Sequence, residues 1–206
     1  MQSNNWKLED AYSCLENDPV LNGVISITGK LNHLQQKDLY SSLLSSVISQ
    51  QLSTKAAATI WTRFMELLMH NPEPQQIITL TAEKLRSVGI SSQKAGYLKA
   101  IADFALEGKL ESTKINHFHD DELVDYLTKI KGVGRWTAEM ILIFSLNRPD
   151  VLPVHDLGVR QSILMLYGLE DHGKETDAGL RDLSKQWQPY RSLVSRHLWR
   201  LRDTNP

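Results

Sequence analysis

The chain of 206 residues contains a single cysteine, Cys14. One thiol can close no internal disulfide and cannot supply the thiolates of an iron–sulfur cluster, so no iron–sulfur cluster is expected. A surplus of charge is missing too: 23 basic side chains against 24 acidic ones leave a formal net charge of -1. No basic field advertises a nucleic acid or an anionic membrane, and any grip on a polyanion must come from local geometry. No apolar run approaches the roughly 20 residues of a membrane span. The opening MQSNNWKLED is polar and acidic where a secretory signal is basic and then apolar. The expected address is intracellular, in the cytoplasm or nucleoid of a bacterium or the nucleus of a eukaryote, with no membrane partner.

Strand signals are scarce as well. The β-branched run VISIT at 24–28 is short and isolated and reads as a loop or a helix end. Helical spacing is almost everywhere: Ile60, Phe64, Leu67 and Leu68; Tyr97, Ile101, Phe104 and Ala105; Leu123, Leu127 and Ile130; Val159, Ile163 and Leu166. The pattern predicts an all-α protein with helices over 8–17, 38–50, 54–69, 82–88, 92–107, 120–129, 135–146, 156–167, 176–186 and 189–202. Ser53 reads as an N-cap, Asp120 or Asp121 as another, and NPEP at 71–74 as a break. In NRPDVLPVHD, 147–156, two prolines keep the chain extended until Asp156 starts the next helix. Repeats and low-complexity tracts are absent, which favours one compact body.

Between two predicted helices lies KGVGRWTAE, 131–139. Gly132 and Gly134 allow a tight turn and a close backbone approach, and Val133 can plug the groove between the helices. The helix that follows presents first-turn N–H groups that suit an anionic oxygen such as a phosphate. A helix C-cap followed by a turn is an equally good reading of Gly-Val-Gly alone. Other constellations carry less. His117-Phe118-His119-Asp120 lacks further ligands at metal spacing and reads as a polar loop. YSSLLSSVIS lacks the glycines of a nucleophile elbow, and the basic cluster from Arg181 to Arg202 reads as a solvated helix face.

Read together, Leu127-xx-Ile130-Lys131-Gly132-Val133-Gly134-Arg135-Trp136-Thr137-Ala138 and the Asp156 downstream resemble the helix–hairpin–helix DNA glycosylase superfamily. Val47–Ser53 with Lys55-Ala56-Ala57, Leu85–Ile90, Trp187–Ser192 and Trp199 are similar to segments of its 3-methyladenine DNA glycosylase II family, in order from about 38 to 202. The resemblance implies a two-lobed helical fold with its active-site cleft between lobes. A six-helix lobe at 36–146 would hold the hairpin, and 1–35 with 147–206 would form the other. It implies hydrolysis of the N-glycosidic bond of alkylated purines such as 3-methyladenine and 7-methylguanine in duplex DNA. The abasic site left behind would pass to a separate endonuclease, and the enzyme would act as a monomer. The α/β domain that precedes the core in the enteric enzyme is not expected here.

By the same resemblance Asp156 is the catalytic carboxylate, and Trp136, Trp199, Met140 and Leu157 line the base pocket. Gly132, Val133, Gly134, Arg135, Thr137 and His155 meet DNA. Gln50-Gln51-Leu52-Ser53 forms the loop that fills the gap left by the extruded nucleotide, with the wedge open among Gln51, Leu52 and Ser53. The carbonyls of Thr128, Ile130 and Val133 would hold Na+ or K+, and no cofactor is otherwise required. Position 136 separates two chemistries: strand-cutting relatives carry a Schiff-base lysine there, whereas tryptophan matches base removal alone. Without the resemblance Asp156 reads as a plain N-cap, and Trp199, on an amphipathic helix, as core. Met140 and Leu157 stand where relatives have aromatics, and His155 where a second acid often lies. Two rival readings remain: a non-catalytic helix–hairpin–helix DNA-binding protein, and a glycosylase for another damaged base.

Overall fold

The computed structural model describes residues 6–204, and all the regular structure among them is helical. The chain divides into two compact units, one of Gln36–Ile141 and one built from the segments on either side of it. The division falls inside a helix, Arg135–Phe144, rather than in the turn that follows it. Among the described residues no helix is long and apolar enough to cross a membrane.

The second unit opens with α1 (Leu8–Leu15) and α2 (Pro19–Thr28). VISIT is therefore the C-terminal half of a helix. Its β-branched residues cost little helix propensity compared with what burial of Leu21, Val24, Ile25 and Thr28 on one face returns. The start signal is Asp18-Pro19. Asp18 Oδ1 accepts the N–H groups of Val20 (2.9 Å) and Leu21 (3.3 Å), and Pro19 occupies the position where no N–H is needed.

The first unit holds α3 (Leu39–Ser49), α4 (Thr54–Leu67), α5 (Pro74–Thr79), α6 (Ala82–Ser87), α7 (Ser92–Leu106), α8 (Ser112–Ile115), α9 (Asp120–Leu127) and most of α10 (Arg135–Phe144). Helix α7 is central and packs against α3, α5 and α6. Ser53 caps α4 by accepting the Ala56 N–H at 3.3 Å. Helices α5 and α8 fall outside the sequence expectation. NPEP ends one helix and starts another, because Pro74 is a favoured first residue. The cap of α9 is His119 rather than Asp120 or Asp121: its N–H donates to the Glu122 carboxylate at 2.9 Å, and the two aspartates fill the first turn, where the helix dipole favours acids.

The second unit resumes at Leu142 and adds α11 (Leu157–Tyr167), α12 (Lys174–Leu183), a 3-10 turn at Ser184–Trp187 and α13 (Arg191–Thr204). Tyr12, Leu15, Leu21, Val154, Val159, Ile163, Leu180, Trp187, Val194 and Leu198 belong to its core. Asp18 ties this core together, since its Oδ2 accepts the Tyr167 hydroxyl (2.5 Å) and the Trp187 indole N–H (3.0 Å). Burial works against the Asp18 charge, but these bonds and the α2 amides outweigh it and hold the carboxyl below its ordinary range.

Candidate functional site

In the second unit the extended segment 147–156 delivers Asp156 as the N-cap of α11. Its Oδ1 accepts the Val159 N–H at 2.9 Å, which fixes the carboxylate to the helix start. The same oxygen accepts the indole N–H of Trp199 on α13, also at 2.9 Å. Two donors from elements 43 residues apart hold one half-buried carboxylate in a single orientation. Trp199 thus meets the acid with its polar edge, while its ring lies 5.4 Å from that of Phe144, centroid to centroid. Leu157 follows Asp156 with 64% of its surface exposed, available to a ligand.

His155 is exposed, and its Nδ1 lies 3.6 Å from Asp177, a residue that also pairs with Arg160. The histidine therefore faces an acid–arginine cluster of its own unit. The basic C-terminal stretch is largely committed to structure. Asp150 clasps Arg191 through Oδ1 (2.6 Å) and Oδ2 (2.9 Å), Arg196 donates to the Asn32 carbonyl (2.8 Å), and Arg202 donates to Gln161 (2.8 Å).

The hairpin lies in the first unit. Gly132 takes φ +94°, and a Cβ there would stand 2.2 Å from Cγ of Tyr97, so two independent constraints require glycine. Gly134 has no such need, with no atom within 4 Å of its Cβ position. Val133 is buried, and its N–H donates to the Ile130 carbonyl at 3.0 Å. Helix α10 then begins, and a helix start has first-turn amides that lack intrahelical acceptors.

Arg135 is not a loose cation beside those amides. Its guanidinium lies 3.3 Å from Asp121, 3.3 Å from Asp125 and 3.2 Å from Glu139, and it braces α9 against α10. Thr137 is buried. Trp136 is 52% exposed, and Met140 and Phe144 follow it at i+4 and i+8 on one face of α10.

The Gln50–Ser53 stretch is the turn between α3 and α4. Gln50 does not point at solvent: its Nε2 donates to the Gly132 carbonyl at 3.0 Å and joins this turn to the hairpin. Lys94 supports the same turn by donating to the carbonyls of Ile48 (2.6 Å) and Gln50 (2.7 Å), and burial draws its ammonium below the ordinary lysine range. Ser53 is spent as a cap. Gln51, at φ +58°, and Leu52 are exposed at the apex. Among the described residues no group of three or more His, Cys, Asp or Glu side chains is placed to hold a metal ion.

Sequence reasoning missed Phe144, Lys94 and Gly158, the last of which lies in the first turn of α11. The eight-residue step from Trp136 to Phe144 along one helix face was a signal for the first; nothing local marks the other two.

Comparison with known proteins shows the family. The DNA-3-methyladenine glycosylase 1 of Schizosaccharomyces pombe is 36% identical over 170 residues, 81% of this chain and 74% of that one. A putative DNA-3-methyladenine glycosylase of Bacillus subtilis is 31% identical over 79% of this chain and 58% of its own length. The structure of the Schizosaccharomyces pombe 3-methyladenine DNA glycosylase in complex with abasic DNA superposes with a TM-score of 0.76 at 33% identity, covering 92% of this chain and 95% of that one. Residues 44–189 match the model of the HhH-GPD superfamily base excision DNA repair proteins, and the chain belongs to that family.

Proposed function

We propose that the protein is a monofunctional DNA-3-methyladenine glycosylase of the type II class, hydrolysing the N-glycosidic bond of alkylated purines in duplex DNA. The observation that carries the reading is Asp156, held through Oδ1 by the Val159 amide and the Trp199 indole. An ionised carboxylate fixed against the sugar stabilises positive charge at the anomeric carbon as the base departs, and it can orient the attacking water. Ordinary glycoside cleavage also needs a second carboxyl as general acid. A purine alkylated on a ring nitrogen already carries the positive charge that protonation would supply, so one aspartate suffices.

Trp136 offers an electron-rich face to such a cationic base, an attraction of about 0.5–2 kcal/mol depending on desolvation. With tryptophan at 136 there is no amine to form an imine with the sugar, so the product is an intact abasic strand for a separate endonuclease. The amides that follow Gly132-Val133-Gly134 grip a DNA phosphate, which suits a chain of net charge -1. Carbonyl oxygens are the donor class that hard monovalent cations take. Ile130 spends one lone pair on the Val133 N–H and keeps another, so Thr128, Ile130 and Val133 fit Na+ or K+ beside that phosphate. The names of the relatives and the DNA bound to one of them support the assignment.

The test is release of free base from a methylated duplex by wild-type protein and by Asp156→Asn. Release by the wild type, lost in the variant while duplex binding persists, is expected; unchanged release by the variant would sink the assignment. A strand cut before alkali is added, with an imine trapped by borohydride, would refute the monofunctional claim.

A further inference from the structure

Gly158, two residues after Asp156, has an ordinary helical backbone and no conformational need to be glycine. Its surroundings are another matter. A Cβ built there would lie 3.1 Å from Asp156 Oδ1, 3.3 Å from Trp199 Cδ1 and 3.5 Å from Arg202 Cδ. The first two atoms belong to the two ends of one hydrogen bond, the 2.9 Å contact from the Trp199 indole to the Asp156 carboxylate. Both distances are tighter than a side-chain carbon comfortably accepts, and neither neighbour can yield without altering that bond. Asp156 Oδ1 is pinned by the Val159 N–H, and the Trp199 ring is backed by Phe144.

We propose that Gly158 is a positioning residue for catalysis: its missing side chain lets α13 press the Trp199 indole edge onto Asp156 across the first turn of α11. The proposal rests on the glycosylase reading of Asp156 and explains how one carboxylate is aimed without a second acid. A glycine at a helical position normally weakens a helix, and alanine is the better residue there. Gly158→Ala thus sets two effects against each other, since the helix gains what the Asp156–Trp199 contact loses. A purely structural glycine would not show this opposition.

Three readouts test it in the full chain: single-turnover base release from a methylated duplex, thermal melting, and the indole N–H resonance of Trp199 in 15N-labelled protein, assigned by its absence in Trp199→Phe. In Gly158→Ala the resonance moves, the rate of base release falls roughly ten- to a hundredfold, duplex affinity stays within about twofold, and the melting temperature does not drop. Trp199→Phe shows a comparable loss, and the double variant is no slower than the slower single variant, because both act on one contact. An unmoved resonance, an unchanged rate, or multiplicative losses in the double variant overturns the proposal. A wild-type protein that releases no base from any methylated duplex overturns the glycosylase reading instead, while the resonance still decides whether Gly158 governs the Trp199–Asp156 bond.

Discussion

His197 is buried to 1% exposure between two hydroxyls, with Nδ1 2.7 Å from Thr28 Oγ1 and Nε2 3.1 Å from the Tyr12 hydroxyl. The partners settle its tautomer. Thr28 already donates to the Val24 carbonyl (2.8 Å) and so accepts from Nδ1–H, while Tyr12 accepts the Leu31 N–H (2.6 Å) and donates to Nε2. A second ring proton would displace the Tyr12 hydroxyl proton from Nε2. Burial first, and then the positive charges of Arg196 and Arg200, push the imidazole down to about 4 from its ordinary 6.5. With the folded pKa below the unfolded one, the neutral ring's contribution is complete above pH 6.5 and is lost as pH falls toward 4. Urea unfolding at pH 7 and pH 4.5 should show His197→Gln losing about 2–3 kcal/mol less stability between the two than wild type. Equal losses would mean that His197 is not the proton uptake site. Trp136, also judged residue by residue, makes a kinetic prediction. Trp136→Ala should lower kcat/KM for a cationic alkylpurine by roughly 2- to 30-fold and for a neutral damaged base by less.

At the scale of an element, the two glycines of the hairpin have different duties, and substitution separates them. Gly132→Ala adds a Cβ that meets the Tyr97 ring at 2.2 Å in a left-handed backbone, and should cost on the order of 2–4 kcal/mol in thermal or urea unfolding. Gly134 has open space around it, so Gly134→Asp should melt near the wild-type temperature. A carboxylate beside the amides that start α10 repels phosphate, so the same variant should bind every duplex more weakly, with no sequence preference, in fluorescence anisotropy. A loss confined to particular sequences would count against backbone recognition of phosphate. The turn at Gln50 belongs to this element as well, through its bond to the Gly132 carbonyl, so the apex at Gln51 and Leu52 is carried by the same frame that would grip the strand.

Across the whole molecule, charge is nearly balanced, and several cations that a composition table counts as available are engaged within the fold: Arg135 by three carboxylates, Arg160 by Asp171 and Asp177, Arg191 by Asp150. On the proposed function, binding through a few backbone amides and remaining side chains would release few counterions. The slope of log K against log salt should therefore be shallow, about -2 to -3, in anisotropy titrations from low to moderate salt. A slope near -6 or steeper would count against recognition through backbone amides.

The all-helical class, the hairpin between α9 and α10 and the cap at Asp156 were determined by the sequence itself, because helical periodicity, glycine turns and N-caps are local properties of neighbouring residues. Where local signals conflicted, tertiary burial decided. Helix α2 runs through VISIT because one of its faces is buried, and α5 starts at a proline that also reads as a break. The partners were beyond reach altogether. Nothing near Asp156 in the chain names Trp199, nothing near Gly132 names Tyr97, and Arg135 acquires Asp121 and Asp125 only once α9 and α10 fold back on each other. A hydrogen bond or a steric limit between distant segments depends on how helices pack, and packing is a property of side-chain shape summed over the core rather than of spacing along the chain.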